Sequence, residues 1–511
     1  MILILFSKPE FEYDVHSLVK AFYAEEEIRM FYTCDPDEVK EQNVACTHHE
    51  IGDALESLKA SADAILQVDY LKRQTTLCFS QKEKADLTSN CEAPEERTAH
   101  KNAVKQALYD LLEQATGQKL PWGTLTGIRP TKIPMKLLEE GMPEDEIRSY
   151  MKETYLATPE KINLSIEIAK REKNLLSTID YDRGYSLYIG IPFCPSTCLY
   201  CSFTSYPLKV WAKEVDHYLD ALEKEIEFTA EQFRDRPLNS IYIGGGTPTT
   251  LEPYQLRRLI EKVKSSFDLS HCVEFTVEAG RPDSITIEKL QTLHELGIDR
   301  ISVNPQTMKQ ETLDLIGRHH TVEQTIESFH MAREAGIGNI NMDLIIGLPQ
   351  ESLEDVRNTM ERVTALHPDN ITVHSLAVKR AARLTIYKDY YKDMQMVNTA
   401  EHMDLCEDYC RKIGLTPYYL YRQKGMAGNM ENVGYAAEGK AGVYNILIME
   451  EKQTIMALGA GATTKFVLPE LNPNGTHRIE RVENVKDVKN YLERIDEMIA
   501  RKRNKINEFT G

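Results

Sequence analysis

Between residues 186 and 376, short apolar and β-branched runs alternate with amphipathic helical patterns, and no other feature restricts the possible folds as much. Strands read at 186–191, 240–243, 273–278, 300–304, 339–346 and 370–376, with helices between them at 215–233, 253–267, 284–296, 322–335 and 352–365. Strand then helix, repeated about five times, implies right-handed crossovers and a parallel sheet. Six strands are too few to close an eight-stranded barrel. The pattern therefore predicts a partial barrel or an open doubly wound sheet, with ligands at the carboxyl ends of the strands in either case.

The chain has 511 residues, more than one ordinary core accommodates. Four segments are expected. An N-terminal α/β accessory domain, 1–117, has strand-like runs at 2–6, 28–32, 64–70 and 75–79, helices at 15–25 and 99–116, and an exposed charged loop at 81–97. A helical connector covers 118–183. The alternating core follows at 184–378. A C-terminal α+β module, 379–511, carries helices near 397–413 and 488–502.

Hydrophobic residues make up 42% and charged residues 27%, the balance of a soluble globular protein. A net charge of −18 argues against nucleic acid or an anionic membrane as a main partner, since phosphate binding needs clustered Lys and Arg. The apolar start, 1–6, runs at once into Ser7, Lys8 and Pro9 and reads as a strand rather than a secretory signal. No run approaches the ~18 apolar residues of a membrane span. A cytoplasmic location is expected, and in that reducing compartment the ten cysteines should not form disulfides. Cys34, Cys46, Cys78, Cys91, Cys272, Cys406 and Cys410 are scattered and read as small buried residues. Cys406 and Cys410 share a helix face, but no further ligand stands near them.

The other three cysteines are different. Residues 188–201 read YIGIPFCPSTCLYC, which places Cys194, Cys198 and Cys201 in a CxxxCxxC spacing directly after the first core strand. Thiolates are soft ligands suited to iron–sulfur clusters. A four-iron cube normally takes four cysteines, so three leave one iron open to a small molecule. Structural zinc would want a closed shell of four. The next candidate, His217, sits inside a helix, and Phe203, two residues after Cys201, cannot ligate.

Further motifs fall at strand ends. Gly244, Gly245, Gly246, Thr247 and Pro248 follow the second strand, where residues without a Cβ let backbone approach a ligand. Glu278 ends the third strand in TVEAGRPD, Gln306 follows the fourth in RISVNPQ, and Arg318 lies in LIGRHH beside His319 and His320, which read as surface groups. Asp343 sits on an apolar strand, where a carboxylate is costly unless paired or bound.

Together these residues resemble the radical S-adenosylmethionine (SAM) superfamily, whose fold is a partial (β/α)6 barrel. The resemblance implies a 4Fe-4S cluster on Cys194, Cys198 and Cys201, with SAM on its free iron. One electron from the cluster would break the sulfonium bond and yield a 5′-deoxyadenosyl radical. The resemblance also implies SAM contacts from Gly245, Gly246, Thr247, Glu278, Gln306, Arg318 and Asp343, with Tyr188, Tyr200 and Ala377 lining the adenosyl pocket. Within the superfamily, YIGIPF, GGGTPT, EAGRPD, NPQ, MDLIIGLP, HSLAVK and the tail MENVGYA are similar to the oxygen-independent coproporphyrinogen III oxidase family, in its HemZ-type branch. The loop 459–464 resembles one that closes over SAM there, which implicates Thr463.

The implied reaction is oxidative decarboxylation of two propionates of coproporphyrinogen III to vinyls, a step of haem biosynthesis, with reduced flavodoxin or ferredoxin as the expected electron donor. Oxidases of the family carry a cysteine where this chain has Phe203. The CxF pattern also occurs in haem-binding chaperones and in radical SAM methyltransferases acting on haem, so both stand as alternatives. A substrate with four carboxylates needs cations. Lys379, Arg380 and Arg383 follow the last core strand, and Arg129 and Lys132 lie together in WGTLTGIRPTK.

Overall fold

A computed structural model describes the chain apart from residues 36–37, 42–47, 128, 378–381, 387–393, 423–425, 473–475 and 511. It divides into two compact units, Met1–Ile166 and Glu167–Gly511. The first is built on a six-stranded sheet in the order β3-β2-β1-β4-β5-β6. Its strands are β1 (Ile2–Phe6), β2 (Ile28–Asp35), β3 (Glu38–Glu41), β4 (Ala64–Tyr70), β5 (Gln74–Gln81) and β6 (Leu87–Glu92). β1 is buried along its whole length and pairs in parallel with β2 and β4.

Three features of this unit differ from the sequence expectation. The charged stretch 81–97 is not all loop, because β6 pairs antiparallel with β5 and half-buries Leu87, Ser89 and Cys91 on one face. Its outer residues are polar, so the strand carries almost no apolar signal, as suits an edge. β3 and the helix His48–Ser61 were also not foreseen.

The second unit carries the alternating core. Its strands are β7 (Tyr185–Ile191), the two-residue β8 (Phe193–Cys194) and β9 (Tyr206–Pro207), then β10 (Leu238–Gly245), β11 (Glu274–Glu278), β12 (Arg300–Ser302), β13 (Ile340–Ile346) and β14 (Asn370–Ser375). β7, β10, β11, β12, β13 and β14 are neighbours in chain order, all parallel. This is the partial barrel. The helices Val215–Gln232, Pro253–Ser266, Ile287–Glu295, Val322–Glu334 and Leu353–Ala365 alternate with these strands. Local chemistry fixes where they begin. Glu252 with Gln255, Thr321 with Gln324 and Ser352 with Asp355 form reciprocal capping boxes.

The residues after Ala377 do not stand apart from that sheet. β15 (Thr416–Tyr421) and β16 (Asn432–Ala436) extend it antiparallel beyond β14. β17 (Thr454–Leu458) returns to the other edge and pairs in parallel with β7, followed by β18 (Thr463–Leu471) and β19 (His477–Glu483). The outcome is one eleven-stranded sheet with a seventh parallel strand. β17 reads TIMAL and is buried throughout, yet a single apolar run far along the chain says nothing about its neighbour. The charged helix expected at 488–502 is two helices, Val488–Glu493 and Ile495–Thr510, broken at Arg494.

Candidate functional site

Residues of β10, β11, β12, β13 and β14 and the loop that follows β7 line a cavity of about 380 Å³. The cysteine loop leaves β7 and is closed at its base by the β8–β9 pair. It is pinned across the barrel: Leu199 N–H donates to Ile316 O at 2.9 Å, and Ser196 Oγ donates to Gly317 O at 2.9 Å. Cys194, Cys198 and Cys201 all line the cavity. Thr247 Oγ1 donates to Cys194 Sγ at 3.4 Å, and Arg281 donates to Cys198 Sγ at 3.6 Å. Burial raises the Cys194 thiol and pushes Cys201 up to about 11. Both become thiolates at neutral pH only beside a strong positive charge such as bound iron.

Beside the start of the loop, Gly245 has φ +106°, a conformation open to glycine. A Cβ at Gly246 would meet Phe193 O at 2.7 Å and Ile191 O at 2.8 Å. The backbone here runs tight against the start of the cysteine loop, held by Gly246 N–H to Ile191 O and Thr247 N–H to Phe193 O, both 2.7 Å.

The polar groups converge from the next strands. Glu278, partly exposed at the end of β11, accepts from Tyr242 Oη and is pushed up to about 7 by burial. Asp343 on β13 accepts from Asn341 Nδ2 at 2.7 Å and lies 3.8 Å from His374 Nε2. Burial raises its carboxyl, but His374, Asn341 and Arg300 outweigh that and hold it below the usual range. Gln306 adopts φ +68°, unusual for a residue with a side chain, and its buried Oε1 has no partner among the described residues. Arg318, 4% exposed, donates to Asn304 O, and its Nε has no partner among the described residues. Unpartnered buried polar atoms facing a cavity are what a polar ligand satisfies.

Of the fourteen residues implied as cluster or SAM contacts, all but Tyr188 and Thr463 line this cavity. Those two line an adjoining cavity of about 280 Å³, which shares Gly245, Ser202 and Phe203 with the first. His319 is exposed, whereas His320 is fully buried, contrary to the surface reading. Burial, then Arg318, pushes His320 down to about 3, so it is neutral. Lys379 and Arg380 lie outside the described residues, as do Cys46 and the side chain of Cys34. Arg383 is exposed in the short helix Arg383–Ile386, and Arg129 and Lys132 fall in the first unit. Cys406 and Cys410 are fully buried on the helix Ala400–Lys412.

Sequence reading missed several lining residues. Arg281 sits inside a motif that was noticed for Glu278, so its signal was available. Tyr242, Arg300, Asn341 and His374 carry none beyond their strand positions. Tyr419, Asn432 and Asn445 arrive from the C-terminal elements, whose place beside the barrel only pairing reveals.

A family model described as the radical SAM superfamily matches residues 188–363. The oxygen-independent coproporphyrinogen-III oxidase-like protein HemZ of Bacillus subtilis is 44% identical over 402 residues, 78% of this chain and 79% of its own length. The chain belongs to the radical SAM superfamily, in its HemZ-type branch. Heme chaperone HemW of Bacillus subtilis is 40% identical over 38% of this chain. Oxygen-independent coproporphyrinogen III oxidase of Salmonella typhimurium is 32% identical over 44% of it. The matches to these last two relatives span about half of their lengths, 51% and 49%. The cofactors of a radical SAM protein are a 4Fe-4S cluster and SAM.

The residues present fit that pair. Among the described residues no three His, Cys, Asp or Glu side chains gather around a single metal ion. A cubane asks for a wider arrangement, because each thiolate takes a different iron. Three cysteines on one loop, facing a glycine-lined wall and unpartnered polar groups, provide it. No helix among the described residues is long and apolar enough to cross a membrane.

Proposed function

We propose that the chain performs radical SAM chemistry on a tetrapyrrole, and specifically the oxygen-independent oxidative decarboxylation of coproporphyrinogen III propionates to vinyls. The observation that carries the SAM half is the cavity itself, into which three thiols of one loop open beside the Gly245–Thr247 wall, Glu278, Asp343 and Arg318. The tetrapyrrole half is supported by the names of the relatives.

Cys194, Cys198 and Cys201 hold the cluster, and the backbone of Gly245, Gly246 and Thr247 receives the methionine end of SAM. Glu278 accepts from ribose hydroxyls, while Gln306, Arg318 and Asp343 satisfy the remaining polar atoms. Tyr200 and Ala377 line the adenosyl pocket, and Tyr188 and Thr463 flank it from the adjoining cavity. Bound there, the two cofactors supply one-electron chemistry at an unactivated carbon. The protein's part is to orient the target and keep water out. A one-electron donor such as reduced flavodoxin or ferredoxin supplies the electron.

Phe203 favours a second reading. It is 71% exposed where both cavities meet, and it replaces a cysteine of the family's oxidases. An aromatic face there suits contact with a tetrapyrrole held without decarboxylation, as in a haem chaperone or a haem-directed methyltransferase. Anaerobic reconstitution followed by SAM, reductant and coproporphyrinogen III or haem separates these readings. Stepwise loss of two carboxyl groups by mass spectrometry supports the oxidase. A methylated product, or stoichiometric haem binding with uncoupled SAM cleavage, overturns it.

A further inference from the structure

We propose that Arg281 is a positioning residue that sets the reduction potential of the cluster through a charge-assisted N–H···S hydrogen bond to Cys198. This inference rests on the reading that Cys198 holds the cluster.

Arg281 is 3% exposed, at the turn that follows Glu278. One edge of its guanidinium is fixed by Asp283, with Nε to Oδ1 at 2.9 Å and Nη2 to Oδ2 at 2.7 Å. The turn is held from behind by Ser284, whose backbone N–H and Oγ both donate to Arg281 O. The other end, Nη1, reaches into the cysteine loop. It donates to Ser196 Oγ at 3.1 Å, Ser196 O at 3.3 Å and Cys198 Sγ at 3.6 Å. A bidentate carboxylate therefore aims a buried cation at one of the three sulfurs.

The three cysteines are not equivalent in this respect. Cys194 accepts from the neutral hydroxyl of Thr247. Cys198 has Arg281 on it and Arg318 nearby. The charges around it are these two buried guanidiniums and the partly exposed carboxylate of Asp283, because His320 beside them is neutral. One-electron reduction adds negative charge to a cluster and its thiolates. A donor on a ligating sulfur and a nearby positive charge both favour the more negative state, so both raise the potential. In a site of low effective dielectric this influence is larger than in water.

The sign of the effect separates this role from simple anchoring of the loop. Arg281→Met removes the cation and the N–H···S bond and should lower the midpoint potential. Asp283→Asn keeps the cation, whose Nη1 is still held by Ser196, and removes the neutralising carboxylate, so it should raise the potential. The test is a spectroelectrochemical titration of anaerobically reconstituted full-length protein without SAM, read by electron paramagnetic resonance of the reduced cluster. The expected shifts are at least tenfold in the reduction equilibrium, 59 mV for one electron, and opposite in sign. Potentials that stay put, or move the same way in both variants, overturn the inference. If Arg281→Met fails to hold a cluster, Asp283→Asn still decides: a raised potential supports the role, and an unchanged or lowered one overturns it. A wild-type protein with no four-iron signal instead sinks the cluster assignment on which the inference rests.

Discussion

Replacing Lys502 with Met should cost the second unit about 3–5 kcal/mol. Lys502 Nζ lies 2.6 Å from Glu225 Oε1, and both side chains are completely buried. Glu225 also accepts from Gly459 N–H at 2.7 Å, Tyr491 Oη at 2.6 Å and Asn484 Nδ2 at 2.9 Å, while Lys502 donates to Ala457 O at 2.6 Å. The C-terminal helix thereby ties β17 and the loop before Thr463 to the helix Val215–Gln232. Removing one partner of a buried pair strands the other charge, which costs about 3–5 kcal/mol. The three remaining donors to Glu225 place the loss toward the lower end. A unit of this size, Glu167–Gly511, has an unfolding entropy near ~0.7 kcal/mol per kelvin. The expected fall in its melting temperature is therefore about 4–7 °C by differential scanning calorimetry. Glu225→Gln with Lys502→Met removes both charges and should recover at least half of the loss. A single variant melting within about 1 °C of wild type, or a double variant no better than the single, would refute the reasoning. Arg494→Ala breaks an exposed pair with Glu497 and should leave the transition where it is.

Three further outcomes can be checked. Glu278 is pushed up to about 7, so the folded protein favours its protonated form. Its contribution to stability is full below about pH 4.5 and is lost as pH rises through about 7, while SAM affinity by calorimetry should rise over that upper range. Glu278→Gln should bind more weakly and without that pH step. Cys198→Ala should abolish the four-iron resonance signal after reconstitution, whereas Cys406→Ala should keep it and cost roughly 1 kcal/mol of packing. Phe203→Ala, at an exposed position, should leave the cluster and melting temperature unchanged. It should weaken tetrapyrrole binding by about two- to tenfold in a fluorescence titration, the worth of one aromatic face.

Much of the barrel was legible because period and breaker residues are local signals. The strands at β7, β10, β11, β13 and β14 and the five intervening helices fall within about two or three residues of where apolar runs and caps place them. The cysteine loop and the glycine run were legible for a similar reason, since ligand spacing and a missing Cβ are written in consecutive residues. β6 was hidden because an edge strand needs no apolar pattern, and β17 because pairing with β7 is set more than two hundred residues away.

By itself, then, the sequence determined the alternation of strand and helix, the three-thiol loop after the first core strand, and the polar residues at the strand ends. Only the tertiary structure decided that twelve of those residues share one cavity while Tyr188 and Thr463 face its neighbour. It also decided that His320 is buried and neutral, that Arg281 is aimed at Cys198, and that the C-terminal strands complete the sheet on both edges. The physical reason is range. Periodicity, capping and backbone clearance act over a few residues, whereas burial, charge pairing and sheet order depend on which distant segments the fold brings together.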